Sequence, residues 1–351
     1  MRIVYPGLFF IAATTLSVNV QALELSIYGV GHVSADSNDD GNDSQLYIAS
    51  NSSRLGFRGG QDLGNGLKAV FQFETGVDLS GDGSNDGNGP GTSNNLFSTA
   101  RDSYAGLAGG FGTVVAGRLA ALNQWLYDFN LFADQIGDLG NIWGGTGLPG
   151  RANSTIAYLS PKIADSLDLV VAYHPENGTT DADATVLKAN FAMNDFKAGI
   201  GYVGLGNGFF SPTADDHTAV AITGSYALGA LTIGGGYQSE SSIGGVSGND
   251  RDSYTLGAGF GLGTGTLKAQ YTVSNADAAN SDASQIAVGY DYTLNEATTL
   301  YVAYASTNNE PLAAFTANDY GHGKAVSPAA GDDPSSFSVG VVYKFDTALK
   351  K

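Results

Sequence analysis

Between residues 25 and 345 the chain repeats one pattern, in which apolar residues alternate with small or polar ones over stretches of about ten residues. Leu67, Ala69, Phe71 and Phe73 alternate with Lys68, Gln72 and Glu74; Leu267, Ala269, Tyr271 and Val273 alternate with Lys268, Gln270 and Thr272. Phe337, Val339, Val341, Tyr343 and Phe345 close the series. A period of two sends successive side chains to opposite faces of a strand, so these stretches are two-faced strands. Alternation does not say which face is buried, because a soluble sandwich turns its apolar face inward and a membrane barrel turns it to lipid. The connections decide. Short ones at 109–112, 193–195, 228–230, 261–265 and 294–296 alternate with long polar ones near 36–44, 79–95, 206–216, 241–250 and 307–334. Turns at one end and loops at the other predict an all-β fold, a closed antiparallel transmembrane β-barrel of about 16 strands, wide enough to hold a water-filled channel.

Composition narrows the function classes. Fifty Gly, 18 Tyr and 17 Phe against 2 Met suit glycine-tolerant strands with aromatic girdles. The absence of Cys excludes thiol catalysis and thiolate metal sites. A formal charge of −18 argues against a nucleic-acid partner. The N-terminus carries Arg2, an apolar run over 7–18 and the small-residue site Val20-Gln21-Ala22. This predicts a secretory signal peptide over 1–22, cleaved to leave Leu23 first, since about 12 apolar residues are too few to span a bilayer.

One stretch breaks the alternation. Between Arg118 and Arg151 lie Trp125, Tyr127, Phe129, Leu131, Phe132, Ile136 and Trp143, together with Asp128, Asp134 and Asp138, and no Lys or Arg. Loops longer than about 12 to 15 residues usually carry function. A loop folded inside the barrel satisfies both characters, with its apolar side on the inner wall and its carboxylates toward water.

The segment from Ser53-Arg54-Leu55-Gly56-Phe57-Arg58-Gly59 through Asp62-Leu63-Gly64 to Lys68-Ala69, Phe71-Gln72 and Glu74 closely resembles a hairpin of the general diffusion porins of Gram-negative outer membranes. Ile27-Tyr28-Gly29, Tyr104-Ala105-Gly106-Leu107, Gly112-Thr113, Gly117-Arg118 and Val341-Val342-Tyr343-Lys344-Phe345 extend the resemblance over nearly the whole chain after residue 22. It implies a 16-stranded barrel over 23–351, a homotrimer, and a third extracellular loop, here 119–150, folded inward as the constriction. It also implies a basic wall facing acids on the loop. Arg54, Arg101 and Arg151 match the wall positions, and strand parity independently turns these and Arg118 to the lumen, where an Arg avoids a lipid-facing cost of about 2 to 4 kcal/mol. Asp134 and Asp138 match the loop acids, with Asp128 a further candidate. Family members often carry Lys just after the Tyr-Gly of the first strand; Val30 stands there, which predicts a weaker basic wall. The family ends on a C-terminal Phe, whereas here Phe345 is followed by Asp-Thr-Ala-Leu-Lys-Lys. We expect Phe345 to close the barrel and 346–351 to be a flexible periplasmic extension.

Other motifs weigh less. Asp36, Asn38 and Asp40 copy the start of a calcium-binding loop, but Tyr47 stands where Glu is needed, so only weak divalent binding is conceivable there. Gly145, Gly147 and Gly150 fit a dinucleotide fingerprint without its strand and helix. His32, His174, His217 and His322 show no metal-like spacing, and no catalytic set is legible. The expectation is an outer-membrane channel without cofactor or catalysis, set in outer-membrane lipid and lipopolysaccharide. It passes ions and small hydrophilic solutes passively, with a modest cation preference from acidic loops containing Asp36, Asp39, Asp40, Asp43, Asp82 and Asp86. The alternatives are a substrate-specific channel using Trp125, Tyr127 and Trp143, an outer-membrane enzyme, or a β-rich adhesin.

Overall fold

The computed structural model describes residues 23–81, 97–120, 125, 128–144, 148, 150–176 and 178–349. The first half of its sheet is β1 (Glu24–Asp39), β2 (Ser44–Ser50), β3 (Arg54–Gly64), β4 (Leu67–Val77), β5 (Phe97–Ala100), β6 (Ser103–Gly109), β7 (Gly112–Ala120), β8 (Arg151–Leu159) and β9 (Leu167–His174). The second half is β10 (Ala184–Met193), β11 (Phe196–Leu205), β12 (His217–Leu228), β13 (Leu231–Ser241), β14 (Arg251–Leu262), β15 (Gly265–Ala276), β16 (Ala283–Asn295), β17 (Thr298–Asn309) and β18 (Ser335–Leu349). β2 and β3 pair with the two halves of β1, and β5 and β6 with the two halves of β4, so each couple is one interrupted span. Eighteen segments less these two breaks leave 16 spans. β1 pairs with β18 on its other side, so the antiparallel barrel closes without an edge.

The faces are inverted relative to a soluble protein. On β15 the polar set Lys268, Gln270, Thr272 and Ser274 is buried inside, while Leu267 and Tyr271 are 52% and 50% exposed on the outside. Strands can present apolar side chains outward when the surrounding medium is lipid and every backbone group is paired within the barrel.

The third long connection folds into the barrel. β7 runs through Ala120, so this constriction loop is 121–150, two residues shorter at its start than expected. Phe132, Ile136, Leu139, Ile142 and Trp143 are fully buried in it, and α1 (Gly140–Trp143) is one helical turn within it. The inner wall receives these rings where it carries glycine. A Cβ on Gly201 would lie 2.5 Å from the Trp125 ring, one on Gly236 2.9 Å from Trp143, and one on Gly289 3.0 Å from Phe132. Part of the high glycine content is therefore a seat for aromatic side chains, a use that strand patterning does not reveal.

Three expectations are corrected here. First, 346–349 is no loose extension: β18 continues to Leu349, which pairs with Leu25, and Asp346 forms an ion pair with Arg58. β1 begins at Glu24 and supplies backbone partners that far, so the seam extends past Phe345, whose partner is Gly29. Second, Asp36 does not belong to an outer loop, since β1 runs to Asp39 and buries Asp36 completely. Third, the long polar connection expected at 307–334 is in part folded inward; Ala317, Asn318 and His322 in it are fully buried. Asp82, Asp86, Tyr127, Gly145, Gly147 and the predicted signal peptide lie outside the described residues.

Candidate functional site

Between the constriction loop and the opposite wall lies a cavity of about 730 Å³. Its lining holds six bases, Arg54, Arg101, Arg151, Lys188, Lys268 and Lys344, and five acids, Glu74, Asp102, Asp128, Asp134 and Asp291. The lumen is thus close to charge balance in a chain of formal charge −18. Val30 also lines it, and Lys344 is the Cα partner of Val30 across the closing seam. The base missing from the first strand is supplied by the last.

One arc of the lining carries arginines at strand starts and breaks. Arg54 opens β3, Arg101 lies in the break between β5 and β6, and Arg151 opens β8. Arg101 Nε donates to Glu74 Oε1 at 2.6 Å, with both side chains 8% exposed, and Tyr28 donates to the other Glu74 oxygen at 2.8 Å. Arg151 Nε donates to Asp102 Oδ1 at 2.5 Å. Arg54 Nη1 donates to Ser52 O at 3.0 Å and faces Asp134 of the loop at 3.4 Å. Two of the three arginines pair with acids of their own wall, an arrangement richer than bases on the wall facing acids on the loop.

The opposite arc was not foreseen in the sequence. Lys188 on β10 donates to Asp128 Oδ1 at 2.5 Å, and Thr223 on β12 donates to the other oxygen at 2.9 Å. Lys268 on β15 donates to Leu131 O at 2.8 Å, Gln135 Oε1 at 2.8 Å and Asp291 Oδ2 at 2.9 Å, and its Nζ lies 4.4 Å from the centre of the Phe132 ring. Each lysine is nearly buried and holds the loop against the wall. The signal lay in parity: both lysines occupy polar positions of alternating strands and so point inward, as the lipid cost of an outward Lys requires.

Two predicted site residues are placed elsewhere. Asp138 does not face the opening but is 1% exposed inside the loop. Its carboxylate accepts from Gly140 N at 2.7 Å, Asn130 Nδ2 at 2.8 Å and Asp134 N at 2.8 Å. Burial pushes this carboxyl up to about 7 even though those donors favour its charged form. Asp134 adopts a left-handed backbone with φ 61°, which Asp tolerates better than most residues. Asp138 therefore positions Asp134, and Asp134 alone of the two faces the lumen cavity. Arg118 stays out of the lining too. A register shift at 117–119 lets its Nε donate to Ala100 O at 2.8 Å and its Nη1 to Asn153 Oδ1 at 2.6 Å.

The calcium-like set is likewise dispersed. Asp36 Oδ2 accepts from Ser34 Oγ, and Asn38 Nδ2 donates to Lys324 O. Asp40 Oδ1 accepts from the N–H groups of Asp43 and Asn42, which hold its carboxyl below the usual range. Its oxygen is committed to closing the turn, and among the described residues no metal-binding cluster forms.

A closed 16-span barrel with an inverted surface, an inward loop and a charged aqueous lumen defines an outer-membrane channel. The chain belongs to the Gram-negative porin family, whose signature it matches over residues 7–312. It therefore resides in the Gram-negative outer membrane, and its relatives are channels rather than enzymes. It is 30% identical to outer membrane porin protein 32 of Delftia acidovorans over 340 residues, 90% of this chain and 91% of that one. It is 28% identical to major outer membrane protein P.IB of Neisseria gonorrhoeae over 73% of this chain and 78% of the other. Among solved structures, the anion-selective porin from Comamonas acidovorans superposes with a TM-score of 0.78 at 25% identity, covering 92% of this chain and all of that one. The trimer form of Vibrio cholerae OmpT, at 18% identity, shares the fold with a TM-score of 0.69 over 93% of this chain and 100% of its own.

Proposed function

We propose that the barrel is a passive diffusion channel for ions and small hydrophilic solutes, working as a homotrimer in lipid and lipopolysaccharide after removal of residues 1–22. The observation that carries this reading is the lumen cavity, whose six bases and five acids line one opening beside the inward loop. Charges of both signs across a narrow opening orient polar solutes and penalise apolar ones. The trimer is supported by the trimeric neighbour, and the leader by the pattern around Ala22.

Selectivity has two sources that act at different ranges. The acidic mouth, with Asp39, Asp40, Asp43, Asp332 and Asp333, attracts cations only within a Debye length of about 10 Å at 0.1 M salt. The lining, one base in excess, favours anions wherever ions touch it, and the similarity to an anion-selective porin points the same way. The modest cation preference expected from the sequence thus belongs to low salt, and at high salt the lining takes over.

Purified protein in planar bilayers tests both parts. Discrete steps of ohmic conductance are expected, with a reversal potential in a KCl gradient that moves toward the anion side as total salt rises. Failure to conduct would end the channel reading, and a reversal potential independent of salt would end the two-source account.

A further inference from the structure

The constriction loop does not stand alone. The connection 310–334, between β17 and β18, turns down into the barrel and lies on it. Gly137 N donates to Ala317 O at 2.8 Å, and the N–H groups of Asp319 and Tyr320 donate to Asn141 Oδ1 at 3.0 and 2.8 Å. The same segment is fixed to the wall. Asn51 Oδ1 accepts from Gly323 N at 2.8 Å, Ser52 Oγ donates to Gly321 O at 3.0 Å, and His322 Nε2 lies 3.3 Å from Asp36 Oδ2.

The closest contact is a ring in a notch. A Cβ on Gly140 would lie 2.2 Å from the Tyr320 ring, and one on Gly144 would lie 2.7 Å from it. Gly140 and Gly144 are four apart, so they share one face of the turn α1. That turn has four residues, too few to hold themselves together in water, and its first N–H is held by Asp138 Oδ1. Asp138 at Gly140 N, Gln238 at Trp143 O and the Tyr320 ring against Gly140 and Gly144 together order it.

We propose that the 310–334 connection is a clamp that fixes the constriction loop, with Tyr320 as its positioning residue and Gly140 and Gly144 as the seat, so that the clamp sets the size limit of the pore. The eyelet acid Asp134 lies only six residues before Gly140, and Asp134 Oδ1 sits 2.7 Å from where a Gly321 Cβ would be. Movement of the clamp is thereby passed to the opening. This inference rests on the diffusion-channel reading but is tested apart from it, because any variant that conducts preserves that reading whatever happens to the loop.

The test is a double-mutant cycle on Gly140→Ala and Tyr320→Ala, read by swelling of proteoliposomes in sugars of increasing size and by trypsin cleavage after Lys324 in the folded trimer. Ala favours helix over Gly, so Gly140→Ala leaves α1 better formed and harms only the seat. The expected result is severalfold faster swelling with sugars near the exclusion limit and cleavage at Lys324 in each single variant, with Gly140→Ala adding nothing once Tyr320 is Ala. Wild-type swelling and trypsin resistance in both single variants would overturn the clamp. So would a Gly140→Ala effect that persists undiminished without the Tyr320 ring. If Gly140→Ala does not assemble, Tyr320→Ala alone decides, since a wild-type size limit in it contradicts the proposal.

Discussion

The two arcs of the lumen carry similar charge and do different work. On the arginine arc, Arg101 and Arg151 are paired with Glu74 and Asp102 of the same wall, so their geometry does not depend on the loop. On the lysine arc, Lys188 and Lys268 reach across to Asp128, Leu131 and Gln135, so their charge is spent on holding the loop in place. A base paired within the wall shapes the field that a passing ion meets. A base paired to the loop fixes the width of the opening.

The sharpest way to break this contrast is to remove a lysine. Lys268→Met keeps the length of the side chain and leaves Leu131 O and Gln135 without their donor and Asp291 without its base. Breaking a buried pair costs about 3 to 5 kcal/mol, and the partial exposure of Asp291 lowers the local figure to about 2 kcal/mol. A loss of that size raises the population of displaced loop roughly thirtyfold. The expected record is higher mean conductance with strong open-channel noise and little change in reversal potential. A quiet channel of wild-type conductance would show that the lysine arc does not hold the loop.

The second variant acts on the other arc. Arg54→Ser combined with Arg151→Ser removes two lining charges and leaves Lys188 and Lys268 untouched. A charge about 8 Å from an ion contributes roughly 2 kcal/mol at an effective dielectric of 20, enough to change permeability severalfold. The reversal potential at 1 M KCl is expected to move toward cations while the current stays quiet. Noise like that of Lys268→Met would mean that the two arcs are not separable.

The contrast also explains how much was legible in the sequence. The 16 spans, their inverted faces and the position of the inward loop follow from alternation, connection lengths and one long greasy interruption, all of which are local. Arg54, Arg101 and Arg151 were visible because each stands beside a motif. Lys188 and Lys268 stand in ordinary strands, 60 and 133 residues from Asp128 and Gln135, and nothing local marks them as latches. Asp138 was misplaced for a related reason: sequence shows an acid in an acidic loop, and only the folded loop shows its three donors inside. The clamp at 310–334 reads as a polar loop because the partners of its Tyr320 ring and its backbone N–H groups, Gly140, Asn141 and Asn51, stand more than 170 residues away in the chain.

A smaller effect is expected where the arginine arc meets the loop, at the pair Arg54 and Asp134. Its members are 25% and 28% exposed, and pairs that open to water contribute about 0 to 1 kcal/mol. Asp134→Asn is therefore expected to shift the reversal potential toward anions by less than the double arginine variant shifts it toward cations. The loop should remain seated, because Asp138 accepts from the backbone N–H of residue 134 whatever its side chain. A larger shift than that of the arginine pair, or the appearance of noise, would place the main constriction charge on the loop.

The remaining lever is pH, acting through Asp138. Its carboxyl lies at about 7 in the docked loop because burial disfavours the charge, against an ordinary value of 3.8. Below about 4 both docked and displaced loops are protonated and pH has no influence on docking. As pH rises from there toward 7 the displaced loop loses its proton first, so docking weakens; above 7 both forms are ionised and the effect levels off. Open-channel noise at 1 M KCl is thus expected to rise between about pH 4 and about 7 and to flatten beyond it. Asp138→Asn keeps an acceptor oxygen and cannot ionise, so it should remove the slope. If the same slope survives in Asp138→Asn, the pH dependence originates elsewhere and the loop owes its seating to the lysine arc and the clamp alone.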